Sequence, residues 1–144
     1  MKSTVIRGTA ANNSIRVFVA DTTNMVEKVR KVHVTSPVAS AALGRTMTAT
    51  SIMGLMLKSE NHKLTVQIKG GGKLGSIVVV GDSFGNVKGY VANPQVESSY
   101  TKPGKLNVGE AVGNKGDLTV IKDLGLKDPY VGTSSLVSGE IAED

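Results

Sequence analysis

The chain has 144 residues, 40% hydrophobic and 3% aromatic, with a formal charge of +5 and no cysteine. That length suits one domain with a core of its own, built from Val, Ile, Leu, Met and Ala rather than from aromatic rings. Without cysteine the chain can form no disulfide, thiol nucleophile or thiolate metal site, so no cofactor held by this chain is expected.

The positive charge raises nucleic acid as a partner. However, Lys2, Arg7, Arg16 and the short run Lys28, Arg30, Lys31 give way to mostly single lysines, with no stacking aromatics between them. No nucleic-acid partner is expected. Residues 1–20 lack a basic start followed by an apolar run, which makes the cytoplasm the expected location.

Thr4–Arg7 and Ser14–Ala20 read as strands joined through Gly8 to Asn13, the second alternating Ile15, Val17 and Val19 against Arg16 and Phe18. Asp21 and Thr22 are cap-type residues opening an amphipathic surface helix to about His33. Its apolar stripe is Met25, Val29 and Val32.

Ser36 to Lys58 organises the rest. Ser36 and Pro37 suit an N-cap and a first helical position. Ala39, Leu43, Met47, Thr50 and Leu57 share one face, yet Ala42, Ala49, Ile52 and Met56 occupy others, and Arg45 is the only charge before Lys58. A helix apolar or small nearly all round is a buried helix. At roughly 1.5 Å per residue it would run about 35 Å, and Gly44, Gly54 and its alanines would let backbone come close. A membrane span is the rival reading. Arg45, the run of hydroxyl residues and the lack of aromatic anchors oppose it, and no membrane partner is expected.

Short strands with glycine punctuation follow. Leu64, Val66 and Ile68 alternate with Thr65, Gln67 and Lys69; Gly70 to Gly72 turn the chain into Ser76–Val80; Asp82 to Asn86 turn it into Val87–Ala92. Asn93 to Lys105 reads as a long loop, Leu106 to Val112 as the place of a short helix, and Asp117–Lys122 and Val131–Val137 as strands. The middle strand of the meander is apolar on both faces, Ile77 and Val79 on one, Val78 and Val80 on the other. Either a second layer covers the Val78 face or the sheet offers an apolar strip to a partner.

The chemical motifs have plain readings. Gly70, Gly72 and Gly75 match G-x-G-x-x-G, but a strand follows where a dinucleotide site needs a helix, so a hairpin is expected. Ser99 to Lys102 reads S-x-x-K in a loop without the motifs that accompany an acylating serine. His33 and His62 stand alone, without ligand spacing. Glu140, Glu143 and Asp144 read as an acidic end rather than an acid/base pair. Arg45 needs a carboxylate or carbonyl partner and is expected to be structural. No catalytic constellation emerges, and the chain is not expected to be an enzyme.

Certain strings, taken in order, resemble one family. SPVASAALGRTMTATSIMGLMLK, KLTVQIKGGGKLGSIVV, VKGYVANPQV, GKLNVGEAVG, GDLTVIKDLGL and LVSGEIAED are similar to the heat shock protein 33 family over nearly the whole chain. The resemblance implies a redox-regulated, ATP-independent holdase of the bacterial cytoplasm. It would work as a homodimer and bind unfolding client proteins under oxidative and heat stress. It also implies a zinc-binding C-terminal domain with four cysteines, which this chain lacks. Residues 1–144 are therefore expected to be one domain, the N-terminal portion of a chaperone core.

The expected fold class is α+β: a long buried central helix between antiparallel sheets in β/α/β layers, plus one amphipathic surface helix. The expected client face is Val78, Val80 and Tyr90. Two other readings stand beside it: a non-catalytic interaction module completed by a partner chain, and a small nucleotide-binding enzyme using the glycine hairpin.

Overall fold

The structure, a computed structural model, describes residues 2–144. In chain order it contains β1 (Thr4–Ala10), β2 (Ile15–Asp21), α1 (Thr23–His33), α2 (Pro37–Leu55), β3 (Lys63–Lys69), β4 (Ile77–Asp82) and β5 (Val87–Val91). Then come β6 (Tyr100–Lys102), β7 (Lys105–Leu106), α3 (Val108–Val112), β8 (Asp117–Asp123) and β9 (Tyr130–Ser135).

The first hairpin extends further than its alternation predicts. β1 reaches Ala10, and the turn is made by Ala11, Asn12 and Asn13 at φ of 50°, 53° and 66°. Asparagine accepts this left-handed region more readily than most residues, and Thr9 Oγ1 donates to Asn13 Oδ1 at 2.7 Å to close the loop. Pairing Ile6 with Val19, Gly8 with Val17 and Ala10 with Ile15 puts the apolar residues on one hairpin face, where they stay exposed.

Helix α1 opens after Asp21, whose carboxylate accepts from the Thr23 amide and hydroxyl. It ends where Val34 turns to φ 52° and its amide reaches Arg30 O. Its apolar stripe is not sunk into the core. Met25 and Val29 are half-buried, and Val32 is exposed.

Helix α2 is the buried element its composition demands. Ser36 accepts from the Ala39 amide, Pro37 fills the first turn, and Val38, Ala39, Ala42, Leu43, Met47 and Thr50 are buried. Beneath it lies a five-stranded antiparallel sheet in the order β5-β4-β3-β8-β9. Leu64, Val66, Ile68, Ile77, Val79 and Val91 form the inner side of that sheet and are buried in the same core. Helices α1 and α3 and strand β2 meet α2 on its other flanks. The α+β class and the buried central helix are thus as expected.

Other boundaries also differ from expectation, β4 running Ile77–Asp82 rather than Ser76–Val80 among them. Helix α2 stops at Leu55 rather than Lys58, a length of about 28 Å. The amides of Met56 and Leu57 bond back to Met53 O and Gly54 O, which tightens the last turn into a stop. The expected loop between Asn93 and Lys105 contains the small β6–β7 hairpin, turned at Pro103 and Gly104. Strand β9 ends at Ser135 because the Leu136 amide turns to Gly116 O and its side chain enters the core.

The end of α2 lies directly on the end of β4: a Cβ added at Gly54 would collide with the Asp82 carbonyl oxygen. Gly54→Ala is expected to destabilise the fold by about 1–3 kcal/mol through overpacking. Alanine's better helix propensity, about 1 kcal/mol, acts in the opposite direction. Urea unfolding followed by circular dichroism measures it; an unchanged or raised midpoint would show that the contact is not tight.

Candidate functional site

Strand register decides which side chains share the outer sheet face. Val80 pairs with Thr65 and Lys88, and Val78 pairs with Gln67 and Tyr90. Side chains alternate along each strand, so Val78, Val80 and Tyr90 stand together on the face turned away from α2. Val80 is 42% and Tyr90 50% exposed, and Val78 is half-buried. The strip therefore lies open. Across the sheet the face continues through Ile121 and Val131, aligned by the Thr65–Ile121 and Ile121–Val131 pairs.

A groove of about 1060 Å³ takes in Val78, Val80 and Tyr90 together with Met25, Val29 and Val32 of α1, and reaches Met47 and Leu55 of α2. The structure thus brings the three sequence-chosen residues together and adds a wall that sequence reasoning missed. The signal for that wall was the α1 stripe itself, which reads as core packing until the fold shows a gap beside it. Phe84, 61% exposed, completes the apolar lining. Lys28 and Lys88 lie on the groove, as does His33; no carboxylate lines it.

The β4–β5 turn shapes one end of this groove. Asp82 Oδ1 accepts from the amides of Phe84 (2.9 Å) and Asn86 (3.0 Å), and Oδ2 accepts from Asn86 Nδ2 at 3.0 Å. Ser51 of α2 donates to Gly85 O at 2.7 Å, fastening the turn to the central helix. Desolvation opposes ionisation of Asp82. The Asn86 side chain and amide, the Phe84 amide and nearby Lys63 outweigh it, and the carboxyl sits below its ordinary value.

The other sequence candidates resolve into structure. The Gly70–Gly75 stretch is a loop between strands, stapled to α3 by Gly72 N to Val112 O and Leu74 N to Ala111 O, both 2.9 Å. The concave space beside it, about 560 Å³, is faced by Glu110 and Glu140 against the single cation Lys115, a balance that disfavours a phosphate. Ser99 donates to Glu110 at 2.6 Å, so its hydroxyl is engaged away from Lys102. Arg45 is a surface clasp: its Nη1 lies 3.0 Å from both the carbonyl and the carboxylate of Glu140. Glu140 also accepts from the Gly109 amide at 3.1 Å.

The acidic end is a structural device as well. Asp144 accepts from the amides of Val137 (2.6 Å), Ser138 (2.8 Å) and Ile141 (3.1 Å). Desolvation again opposes ionisation, but these amides hold the carboxyl below its ordinary value. No group of three or more His, Asp or Glu among the described residues could hold a metal ion, and there is no cysteine. The zinc that the family resemblance implies has no ligand set here. No helix among the described residues is long and apolar enough to cross a membrane.

The chain matches the family model described as Hsp33 protein over residues 3–144. It is 71% identical to the 33 kDa chaperonin of Alkaliphilus metalliredigens, covering all of this chain and 49% of that protein. It is 60% identical to the 33 kDa chaperonin of Clostridioides difficile, covering all of this chain and 50% of that one. The crystal structure of the 33 kDa chaperonin from Thermotoga maritima superposes with a TM-score of 0.91 at 38% identity, over 97% of this chain and 48% of that chain. The chain spans about half the length of the curated relatives it matches.

The Asp82 turn generates a pH test. Its folded pKa lies below the unfolded value, so its contribution is present above the ordinary carboxylate range and lost as pH falls through the depressed value. Asp82→Ala is expected to cost about 1 kcal/mol at neutral pH. The gap from the parent should close in acid. Thermal melts from pH 7 down to pH 2 measure it; a gap independent of pH would show that the charge of Asp82 does not hold the turn.

Proposed function

The chain belongs to the Hsp33 family, and from that membership together with the open groove we propose that it is the client-binding part of an ATP-independent holdase chaperone. It binds unfolding proteins in the cytoplasm and prevents their aggregation under heat and oxidative stress. It is a chaperone rather than an enzyme: no bond is made or broken, and the work is done by burying apolar surface, at about 25 cal/mol per Å².

The observation that carries this reading is the sheet face that keeps Val80 and Tyr90 in water opposite the half-open stripe of α1. Apolar surface gathered in a groove marks a place where another chain is covered. Redox regulation is not assigned to any residue here, because the chain carries no cysteine. A second reading, a module completed by a partner chain such as a second copy, is supported by the exposed Ile6, Ile15, Val17 and Val19 on one hairpin face. A melting temperature that rises with protein concentration would support it.

Light scattering of a thermally aggregating client, with this chain present under reducing conditions and chelator, tests the first reading. Suppression near equimolar ratio is the expected result. Val78→Asp combined with Val80→Asp should weaken capture by about tenfold, the scale of losing two partly buried valines, while leaving the melting temperature near that of the parent. No suppression by the folded parent would refute the proposal. Unfolding of the double variant would place both valines in the core, and Tyr90→Ser then tests the face by itself.

A further inference from the structure

We propose that the groove takes its client as an added β-strand along the open edge of β5, and selects extended apolar segments flanked by acidic residues. This inference rests on the holdase reading and names the mode and chemistry of capture.

Strand β5 is the end of its sheet, paired with β4 alone. The phase of that pairing is set at both ends: Asp82 N bonds to Asn86 O at 3.0 Å, and Ala92 N bonds to Ser76 O at 2.9 Å. In an antiparallel ladder the bonded residues alternate, so Asn86, Lys88, Tyr90 and Ala92 turn their amides toward β4. Val87, Gly89 and Val91 therefore turn theirs outward. Val87 and Gly89 lie on the groove, and neither amide nor carbonyl of the two has a partner outside the sheet ladder among the described residues. An unpaired edge of this kind is a template for another extended chain.

The surroundings narrow the occupant. A strand laid against β5 would span about five residues, roughly 17 Å at strand rise. Its alternate side chains would turn toward the wall of Met25, Val29 and Leu55 on one side and lie beside Lys88 and Tyr90 of β5 on the other, so the residues turned to the wall must be apolar. An unfolding chain presents such a segment with its backbone groups free. The charges on the walls, Lys28 and Lys88, form no salt bridge among the described residues, and no carboxylate lines the groove to offset them. Acidic flanks complement that field; basic flanks oppose it.

The test is direct binding of labelled peptides to the 144-residue chain by fluorescence anisotropy. The probes are an alternating valine–threonine peptide flanked by aspartates, the same core flanked by lysines, and the aspartate-flanked peptide with alternate amides N-methylated. The aspartate-flanked peptide should bind about fivefold tighter than the lysine-flanked one, the scale of two exposed charge contacts. Methylation on the pairing edge should weaken it by about tenfold or more. Lys28→Glu with Lys88→Glu, both on exposed residues, should reverse the charge preference.

Equal binding of the methylated peptide, or a preference unmoved by the double charge reversal, overturns the edge proposal. Aggregation suppression by the parent would in that case leave the holdase reading standing. Absence of peptide binding in a chain that sediments as a dimer, with dimerisation altered by the charge reversal, would make a second copy the occupant and refute the proposal.

Discussion

A helix buried on most sides must satisfy its own polar groups, and α2 does so along its length. Thr46 Oγ1 donates to Ala42 O at 2.9 Å, Thr48 to Gly44 O at 2.8 Å and Thr50 to Thr46 O at 2.7 Å. Each hydroxyl lies within hydrogen-bond reach of the carbonyl one turn back, and Thr48 Oγ1 also meets Thr22 Oγ1 at 2.7 Å, just before α1. The helix can then accept apolar contacts on its sheet flank, and no buried side-chain nitrogen or oxygen among the described residues lacks a partner. The sheet, α1 and α3 are all positioned by reference to this one element. An unpartnered hydroxyl there would cost about 1–3 kcal/mol, comparable to burying a valine.

Much of this was legible because period and burial are local properties. The all-round apolar character of 36–58 marked a buried helix, and the alternation of Leu64, Val66 and Ile68 marked the inner sheet face. The two-sided valine strand signalled that the sheet has an apolar outer strip, and the register confirms which side chains share it. What could not be read was whether anything lay over that strip. The groove is formed by α1 and by β5, far apart in sequence, and only the way each seats against α2 leaves a gap between them. The stripe Met25, Val29, Val32 has the same spacing whether it ends in a core or at the wall of a cleft.

The C-terminal acids show the opposite failure. Glu140, Glu143 and Asp144 read as an acidic end rather than an acid/base pair, and composition does not say which of these carboxylates folds back onto the chain. Asp144 gathers amides from its own tight loop, and Glu140 reaches α2 and α3 at once. Nothing in the spacing of these acids announces that role, since the donors are backbone groups common to every residue. The small β6–β7 hairpin escaped notice for a related reason: Pro103 and Gly104 signal a turn, but the strands around them are only three and two residues long.

The loop after β3 meets the segment after α3 backbone to backbone, and Gly139 after β9 packs on that same segment at Gly113. A Cβ at Gly113, which sits at φ 82°, would strike Gly70 O, and one at Gly116 would strike Lys69 O. In most surface loops, sequence drifts freely because side chains point into water. Here the junction has no room for side chains at all, although part of it faces solvent. Random mutagenesis followed by selection for folded protein should therefore find this glycine knot as intolerant as the centre of α2. The exposed hairpin, by contrast, should accept nearly any substitution that folding alone can judge.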